Sequence, residues 1–223
     1  MDDLMKYEKE LYESGITLIA GVDEVGRGPL YGPVVAAAVI LPVGYSLDGL
    51  TDSKKLTPKK RDKFFDIIKR DAISIGIGMK SAKRIDEINI YEATKEAMYD
   101  AVSSLTIPPE HVLIDAMKLD NLSVPYTSII KGDAKSLSIA AASVIAKVTR
   151  DRMMEEEDKL HPEYEFAKHK GYPTKKHVEN VIKYGVLEEY RRTYEPIKSI
   201  IQGSDYNGKR KEKNKINERK SKK

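Results

Sequence analysis

Two adjacent acidic residues, Asp23 and Glu24, separate two apolar runs, and this arrangement constrains the fold more than any other stretch. The runs Ile16 to Val22 and Val34 to Leu41 both have the composition of β-strands. The acids are therefore predicted at a strand end, beside a hairpin-like connection. Neighbouring strand side chains point to opposite faces, so both acids can serve one site only if the backbone leaves the regular strand there. The glycine-rich turn that follows would permit such a departure.

Strand and helix patterns alternate along the chain after these two runs. They predict a helix from Pro58 to Lys69 with Thr57 as N-cap, a strand from Ala72 to Met79, a helix from Arg84 to Leu105, strands from Val112 to Ile114 and from Tyr126 to Ile130, and a helix from Ser136 to Lys159. A short amphipathic helix is expected within Met1 to Glu13. The pattern is typical of an α/β domain whose mixed five-stranded sheet is flanked by helices. Ligand sites in such sheets collect at the carboxyl ends of the strands.

The C-terminal part divides into a small helical appendage and a basic tail. Residues 1–202 are predicted to form one domain. Within it, residues 162–202 begin with a polar, aromatic loop and continue with helices from Thr174 to Tyr184 and near Pro196 to Ile201. Residues 203–223 carry nine basic and three acidic side chains, a net charge of +6, whereas the rest of the chain has a net charge of −2. This tail is predicted to be disordered, and the basicity of the whole chain says little about the folded body.

The composition points to a soluble protein of a reducing compartment. The chain has no cysteine, so it forms no disulfide. Its N-terminus has no apolar signal core, and its apolar runs are too short to cross a bilayer. A cytoplasmic location, no membrane association and a monomeric state are the expectations.

Two further acids are predicted at the same edge of the sheet as the first pair. Asp115 follows one short buried strand and Asp133 follows the next. Four carboxylates without sulfur or imidazole suit a hard cation, Mg²⁺ or Mn²⁺, and two such ions would balance their charge. The alternative is that each acid is a separate helix cap or surface charge. This alternative is strongest for Asp133, which precedes a predicted helix.

Five short motifs occur in the order and approximate spacing of one enzyme family. They are Asp23-Glu24-Val25-Gly26-Arg27-Gly28, Asp52-Ser53-Lys54-Lys55-Leu56, Asp115 after an apolar strand, Lys131-Gly132-Asp133 before an alanine-rich helix, and Gly171-Tyr172-Pro173-Thr174. With them the chain resembles ribonuclease HII from about Ile16 to Ile201. The resemblance implies a ribonuclease H-like fold. It also implies an endonuclease that hydrolyses the RNA strand of RNA/DNA hybrids and cuts at ribonucleotides embedded in duplex DNA.

The resemblance also implies roles for individual residues. Asp23, Glu24, Asp115 and Asp133 would be the catalytic metal ligands, holding two Mn²⁺ or Mg²⁺ ions. The residues that would contact the substrate are Gly26, Arg27, Gly28 and Tyr172 at the ribose 2′-hydroxyl, and Ser53, Lys54 and Lys147 at phosphates. Other interpretations stay open: the glycine segment is a tight turn, Arg27 an ion-pair partner, Tyr172 a packed loop aromatic, and each lysine a solvated charge. His169 and His177 lack a metal-binding pattern and are interpreted as structural.

Two other kinds of protein share some of these sequence features. Ribonuclease HIII shares the core but carries an additional N-terminal domain, and only 22 residues precede Asp23 here. A non-catalytic nucleic-acid-binding protein would need no metal, but four acids would repel phosphates unless a cation neutralised them. Some relatives carry a clamp-binding peptide at the C-terminus. The tail here has no paired aromatic residues, so no such partner is expected.

Overall fold

The computed structural model describes residues 4–50, 53 and 56–203, and they form a mixed five-stranded sheet with helices on both faces. The strands are β1 (Ile19–Val25), β2 (Val34–Ile40), β3 (Ser74–Lys80), β4 (His111–Asp115) and β5 (Tyr126–Ile129). The helices are α1 (Lys6–Glu13), α2 (Pro58–Asp71), α3 (Ala82–Ser103), α4 (Leu137–Leu160), α5 (Phe166–His169), α6 (Lys175–Tyr184) and α7 (Ile197–Ile201). Within these ranges no helix combines the length and the apolar character that crossing a bilayer requires.

The sheet has the strand order β3-β2-β1-β4-β5, with β1 at its centre. The β1–β2 and β2–β3 pairs are antiparallel, whereas β1–β4 and β4–β5 are parallel. The predicted mixed sheet is therefore confirmed. The parallel pairs matter most, because they bring the carboxyl ends of β1, β4 and β5 to one edge of the sheet.

Both faces of the sheet are covered by apolar helices. In β2, Val34, Ala36, Ala38 and Ile40 pack toward α3, whereas Ala37 and Val39 pack toward α2 and α4. This alternation follows from the two-residue period of a strand. All seven residues of β2 are buried, which explains why this strand is apolar along its whole length.

The long helix predicted from Arg84 is interrupted once. Asn89 has a φ of 71°, and its Oδ1 atom accepts hydrogen bonds from the backbone N–H groups of Tyr91 and Glu92. Asparagine tolerates this left-handed region better than most residues and can cap the helical segment that follows it. The apolar spacing does not reveal such a break, because it continues in phase on both sides.

Helix α4 approaches the centre of the sheet unusually closely. A Cβ atom on Gly21 of β1 would lie 2.0 Å from the carbonyl carbon of Ser138 and 2.3 Å from the backbone nitrogen of Ile139. Glycine is therefore the one residue that fits between the strand and the helix. The run of small residues that follows in α4, Ala140 to Ser143, is buried as well.

Helix α1 fixes the beginning of α4. Glu8 is fully buried, and its Oε1 atom accepts hydrogen bonds from the Ser136 hydroxyl and from the backbone N–H of Ser138. Ser136 is the N-cap of α4, and its hydroxyl accepts a hydrogen bond from the N–H of Ile139. A carboxylate at this position satisfies N–H groups of the first turn and interacts favourably with the helix dipole. The N-terminal segment thus supports the end of α4 that lies next to Asp133.

The start of the appendage differs from the predicted polar loop. It contains a 3₁₀ turn at Pro162–Tyr164 and then α5. Aromatic packing explains this local order, because Tyr31, from the segment between β1 and β2, stacks on Phe166 with ring centroids 4.1 Å apart. Tyr31 also forms an isolated β-bridge with Tyr190. The appendage is therefore packed against the connection that follows the acidic pair.

Replacing Gly21 by alanine should test the close approach of α4. The new methyl group would meet backbone atoms, which cannot rotate away, so we expect the free energy of unfolding to fall by about 3 kcal/mol or more. Gly28→Ala is the matched control, because a Cβ there would lie 3.5 Å from the Tyr172 ring, an ordinary contact. Urea denaturation should show a change of less than about 1 kcal/mol for the control. Equal stabilities of the two variants would contradict the packing described.

Candidate active site

Three carboxylates converge where β1 and β4 reach the edge of the sheet. The parallel register pairs Val22 with Ile114, so Asp23 and Asp115 are the next residues on their respective strands. One side-chain oxygen each from Asp23, Glu24 and Asp115 lies within 4.8 Å of the other two. These donors are all oxygens, which hard divalent cations such as Mg²⁺ and Mn²⁺ prefer. The three residues therefore fit a metal centre.

The expectation that the backbone leaves the strand at the acidic pair is wrong. Asp23 and Glu24 keep a regular register with Ala37 and Ala36, and β1 continues to Val25. The departure comes one residue later, at Gly26, whose φ is 93°. The pairing with β4 ends at Val22, so the edge of β1 beyond it is open on that side. A Glu24 oxygen nevertheless lies within 4.8 Å of oxygens of the two aspartates.

The site is electrostatically unfavourable without a cation. Asp23 is 4% exposed, and burial, followed by the charges of Glu24 and Asp115, raises its pKa well above the ordinary range. The Ser143 hydroxyl and the backbone N–H of Glu24, which donates to Asp23 Oδ1 over 2.7 Å, oppose this rise. A divalent cation would remove the repulsion directly. The crowding of these acids is thus a physical argument for metal binding.

Asp115 and Asp133 are placed by the turn that precedes α4. The backbone N–H of Gly132 donates to Asp115 Oδ1 over 2.6 Å and so orients this carboxylate. Asp133 is buried in the 3₁₀ turn Gly132–Ala134, adjacent to that contact, but it is not part of the 4.8 Å group. The N-cap of α4 is Ser136, so Asp133 does not hold the capping position proposed as its alternative role. Its function as a fourth ligand stays a prediction.

A serine that the sequence did not single out links the carboxylates to the loop before α2. The Ser143 hydroxyl interacts with Asp23 and lies 2.8 Å from the hydroxyl of Ser53. Ser53 is 2% exposed, so its hydroxyl is shielded from solvent and contacts Ser143 instead. Ser143 ends the small-residue run of α4 and lies one helical turn before Lys147. This spacing places the two side chains on the same face of the helix and could have identified Ser143 as a residue of the site. Lys54 lies outside the described residues.

The two segments predicted to recognise the sugar meet in space. A Cβ atom on Gly28 would lie 3.5 Å from Cε1 of Tyr172, and the N–H of Leu30 donates to the carbonyl of Gly171 over 2.8 Å. Tyr172 is 38% exposed, which leaves its ring accessible. Arg27 Nη1 lies 3.5 Å from Glu24 Oε1, so this guanidinium forms the ion pair considered as its alternative role. The glycine segment is thus linked to the carboxylates through Arg27 and lies against Tyr172 at Gly28.

Lys147 lies one helical turn beyond Ser143 and is mostly buried. Its Nζ atom donates to Asp151 Oδ1 over 2.7 Å, so the two side chains form an ion pair within α4. Burial lowers the pKa of Lys147, and the contact with Asp151 opposes this effect. Arg61 also approaches Asp151, at 4.0 Å. The lysine is therefore held by protein groups, and its contact with substrate stays a prediction.

The two histidines near Tyr172 shape its loop. The rings of His169 and His177 stack with centroids 4.0 Å apart. The His169 Nδ1 atom accepts a hydrogen bond from the N–H of Gly171, and the His177 Nδ1 atom lies 2.8 Å from the carbonyl of Tyr172. Burial, followed by the charge that His169 would carry, lowers the pKa of His177 to about 4. Neutral histidines therefore hold the backbone on both sides of Tyr172 at physiological pH, as their interpretation as structural residues implied.

Comparison with known proteins agrees with this geometry. The family model described as Ribonuclease HII matches residues 20–195. The ribonuclease HII of Bacillus cytotoxicus is 61% identical over 199 residues, which cover 89% of this chain and 76% of that protein. The chain belongs to the ribonuclease HII family. It is therefore a ribonuclease H, an endonuclease that acts on RNA/DNA hybrids.

Solved structures of the family share the fold. Ribonuclease H2 from Pyrococcus horikoshii has a TM-score of 0.69 at 30% identity, covering 82% of this chain and 96% of the other. Ribonuclease HII from Archaeoglobus fulgidus, solved as a complex with PCNA, has a TM-score of 0.64 at 25% identity, covering 80% and 95%. The predicted family and ribonuclease H-like fold are thus confirmed. The expectation of no clamp-binding tail concerns residues outside the described ranges and stays a prediction.

Asp23→Asn should stabilise the metal-free protein at neutral and higher pH. Because the folded pKa of Asp23 is raised, the folded protein retains a proton that the unfolded chain releases near 3.8. The free energy of unfolding of the metal-free protein therefore falls as the pH rises from about 3.8 to the raised pKa of Asp23. The Asp23→Asn variant has no such carboxyl group and does not show this fall. With EDTA at about pH 8, we therefore expect the variant to unfold at a higher temperature than the unsubstituted protein.

Thermal unfolding with and without a divalent cation completes this test. Mg²⁺ or Mn²⁺ should stabilise the unsubstituted protein and have little effect on Asp23→Asn, because binding to the folded state alone raises stability. Asp66→Asn, at an exposed position of α2, is the control and should behave like the unsubstituted protein. A metal-free Asp23→Asn protein that is less stable than this control would show that Asp23 is stabilising, contrary to the electrostatics described.

Proposed function

We propose that Asp23, Glu24, Asp115 and Asp133 hold two divalent cations, and that the protein also cuts at single ribonucleotides embedded in duplex DNA. The observation that carries this proposal is the convergence of three carboxylate oxygens within 4.8 Å, linked by the Arg27–Glu24 ion pair to the glycine segment that lies against the exposed Tyr172 ring. A metal centre and a group suited to read a sugar lie next to each other. Few arrangements other than cleavage at a ribonucleotide need both.

The donor set suits Mg²⁺ or Mn²⁺. Carboxylate oxygens together with water and substrate phosphate form the oxygen-rich shell that these ions prefer. The four carboxylates would hold two such ions, and the chemistry these would supply is activation of a water for in-line attack on phosphorus and stabilisation of the leaving 3′-oxygen, with 5′-phosphate and 3′-hydroxyl ends as the products. The chain contributes fixed ligand positions: β1 holds Asp23 and Glu24, and the N–H of Gly132 orients Asp115.

We assign recognition of the ribose to Tyr172 and the segment Gly26, Arg27 and Gly28. The close contact between Gly28 and Tyr172 leaves a position where a 2′-hydroxyl can meet a backbone N–H and the phenol together. A side chain at Gly28 would narrow this position. Arg27, paired with Glu24, would link the sugar side of the site to the metal side. The 2′-hydroxyl is the group that distinguishes RNA from DNA.

We assign phosphate binding to Lys54 and Lys147, whereas the burial of Ser53 argues against the phosphate contact expected for it. Lys147 lies beside the site but is paired with Asp151, so a phosphate would have to compete with this ion pair. The Ser53 hydroxyl is bonded to that of Ser143, which contacts Asp23, so Ser53 would help to position this carboxylate. The lysine contacts would position the strand without reading its sequence.

A non-catalytic nucleic-acid-binding protein is the competing function. The clustered carboxylates argue against it, because uncompensated acids repel a phosphate backbone. The distinguishing experiment is incubation with a labelled duplex that contains one ribonucleotide, with Mg²⁺, with Mn²⁺ and with EDTA. We expect cleavage only with a cation, and none by Asp115→Asn. Binding without cleavage under all conditions would establish the competing function.

Tyr172 gives the sharpest test of sugar recognition. If its ring and hydroxyl contact the ribose, Tyr172→Ala should slow cleavage at a single ribonucleotide by about five- to 150-fold, as loss of a stacking contact predicts. Tyr172→Phe separates the contribution of the hydroxyl from that of the ring. The loss should be smaller on a long RNA/DNA hybrid, where neighbouring registers are available. Cleavage rates of both substrates are measured at fixed salt and Mg²⁺ concentration. Unchanged rates for Tyr172→Ala would refute this role.

A further inference from the structure

Two arginines are completely buried beneath the proposed ribose site. Arg150 of α4 and Arg191, which follows α6, each have 0% exposure. Among the residues that the structure describes, neither forms a salt bridge with a carboxylate. Burying a guanidinium without a counter-charge is costly, and an apolar side chain would fill the space at less expense. We therefore expect each arginine to have a role that depends on the several N–H donors of its guanidinium group.

Arg150 joins the two loops that form the ribose site. Its Nε atom donates to the carbonyl of Pro33 over 3.0 Å, and its Nη2 atom donates to the carbonyl of Tyr31 over 2.9 Å. Its Nη1 atom donates to the carbonyl of Lys170, two residues before Tyr172, over 2.9 Å. Gly26 makes room for this side chain, since a Cβ atom there would overlap the Arg150 guanidinium. One side chain thus fixes the spacing between the two loops.

Arg191 binds the glycine segment itself. Its two Nη atoms donate to the carbonyls of Gly26 and Arg27, and its Nε atom donates to the carbonyl of Gly32 over 3.1 Å. The Tyr194 hydroxyl donates to the same Arg27 carbonyl over 2.9 Å, and the Tyr194 ring lies under the guanidinium at 5.1 Å. The carbonyls of Gly26 and Arg27 therefore both point into the protein.

The orientation of these carbonyls determines where the neighbouring N–H groups point. In a trans peptide the C=O of one residue and the N–H of the next point in opposite directions. Because the Gly26 and Arg27 carbonyls face Arg191, the N–H groups of Arg27 and Gly28 face outward. Both residues are exposed, and the hydrogen bonds within the described part of the chain include none from these two N–H groups. They form a pair of donors aimed at a ligand.

The buried charges strengthen these donors. Burial lowers the pKa of Arg150 to about 10, which leaves the group cationic at neutral pH. Two guanidinium charges behind the peptide planes favour an electron-rich oxygen in front of them, because the low-dielectric interior screens them weakly. A ribose hydroxyl oxygen or a phosphate oxygen of the ribonucleotide meets this requirement.

We propose that Arg150 and Arg191 are positioning residues for ribonucleotide recognition, holding the glycine segment so that the N–H groups of Arg27 and Gly28 meet the ribonucleotide. This inference rests on the proposed recognition of ribose at Gly28 and Tyr172. It adds that the appendage, through Arg191 and the Lys170 carbonyl, sets the selectivity of the site. Neither arginine touches the substrate.

The experiment compares affinity for a duplex with one ribonucleotide and for the same duplex made entirely of DNA. All proteins carry Asp115→Asn to prevent cleavage, and fluorescence anisotropy is measured at fixed salt and Mg²⁺. Arg191→Lys and Arg150→Lys retain the charge but replace the planar, forked set of donors by a single ammonium group, which cannot reach the same three carbonyls. We expect the preference for the ribonucleotide to fall by about tenfold or more, the cost of a lost charge-assisted hydrogen bond, with affinity for DNA changed less than about twofold.

Arg192→Lys is the matched control, because Arg192 is adjacent in sequence and exposed, and it should keep the full preference. If a lysine variant does not fold, Tyr194→Phe removes the second donor to the Arg27 carbonyl and should lower the preference in the same direction. A preference that is unchanged in the folded variants, or an equal loss of affinity for both duplexes, would overturn the inference. If Tyr172→Ala also leaves the preference unchanged, the proposed ribose recognition itself fails. Loss with Tyr172→Ala alone would reject only the role of the arginines.

Discussion

The parallel pairing of β1 with β4 is the constraint on which the rest of the site depends. It places Asp23 and Asp115 side by side, and it ends at Val22, which leaves an open edge where Glu24 can join them. Gly21 permits α4 to lie against this pair of strands, and α4 in turn presents Ser143 to Asp23. The arrangement concentrates negative charge in a buried place. Folding energy from the apolar sheet, and not attraction among the acids, holds them together.

The appendage and the sheet contribute different halves of the site. The sheet supplies the carboxylates, and the appendage supplies Tyr172 and the carbonyl and guanidinium contacts that tie its loop to the glycine segment. Two neutral histidines and two buried arginines replace a regular strand pairing as the means of holding these loops. Hydrogen bonds from side chains to the backbone can hold an irregular loop in place, whereas the hydrogen bonds between β-strands require a regular backbone. The selectivity of the site is therefore built from loops on rigid supports.

Sequence reasoning recovered the elements and failed where contacts are long-range. Thr57 and Ser136 were identified as helix starts because capping is a local property. The acidic residues followed from strand ends and motif spacing. The regular path of β1 through Glu24 could not be predicted, since it depends on the register with β2. No local sequence pattern marks Arg150 or Arg191. Arg150 binds the carbonyl of Pro33 and Arg191 binds that of Arg27, and both partners lie more than a hundred residues earlier in the chain.

A titration with Mn²⁺ monitored by electron paramagnetic resonance tests the central claim most directly, because it counts bound ions without needing substrate or turnover. The account predicts that the unsubstituted protein removes Mn²⁺ from the free signal, that Asp23→Asn loses most of this binding, and that the exposed-site variant Asp66→Asn retains it. Equal Mn²⁺ binding by Asp23→Asn and Asp66→Asn would contradict the assignment of the converging carboxylates as the metal centre.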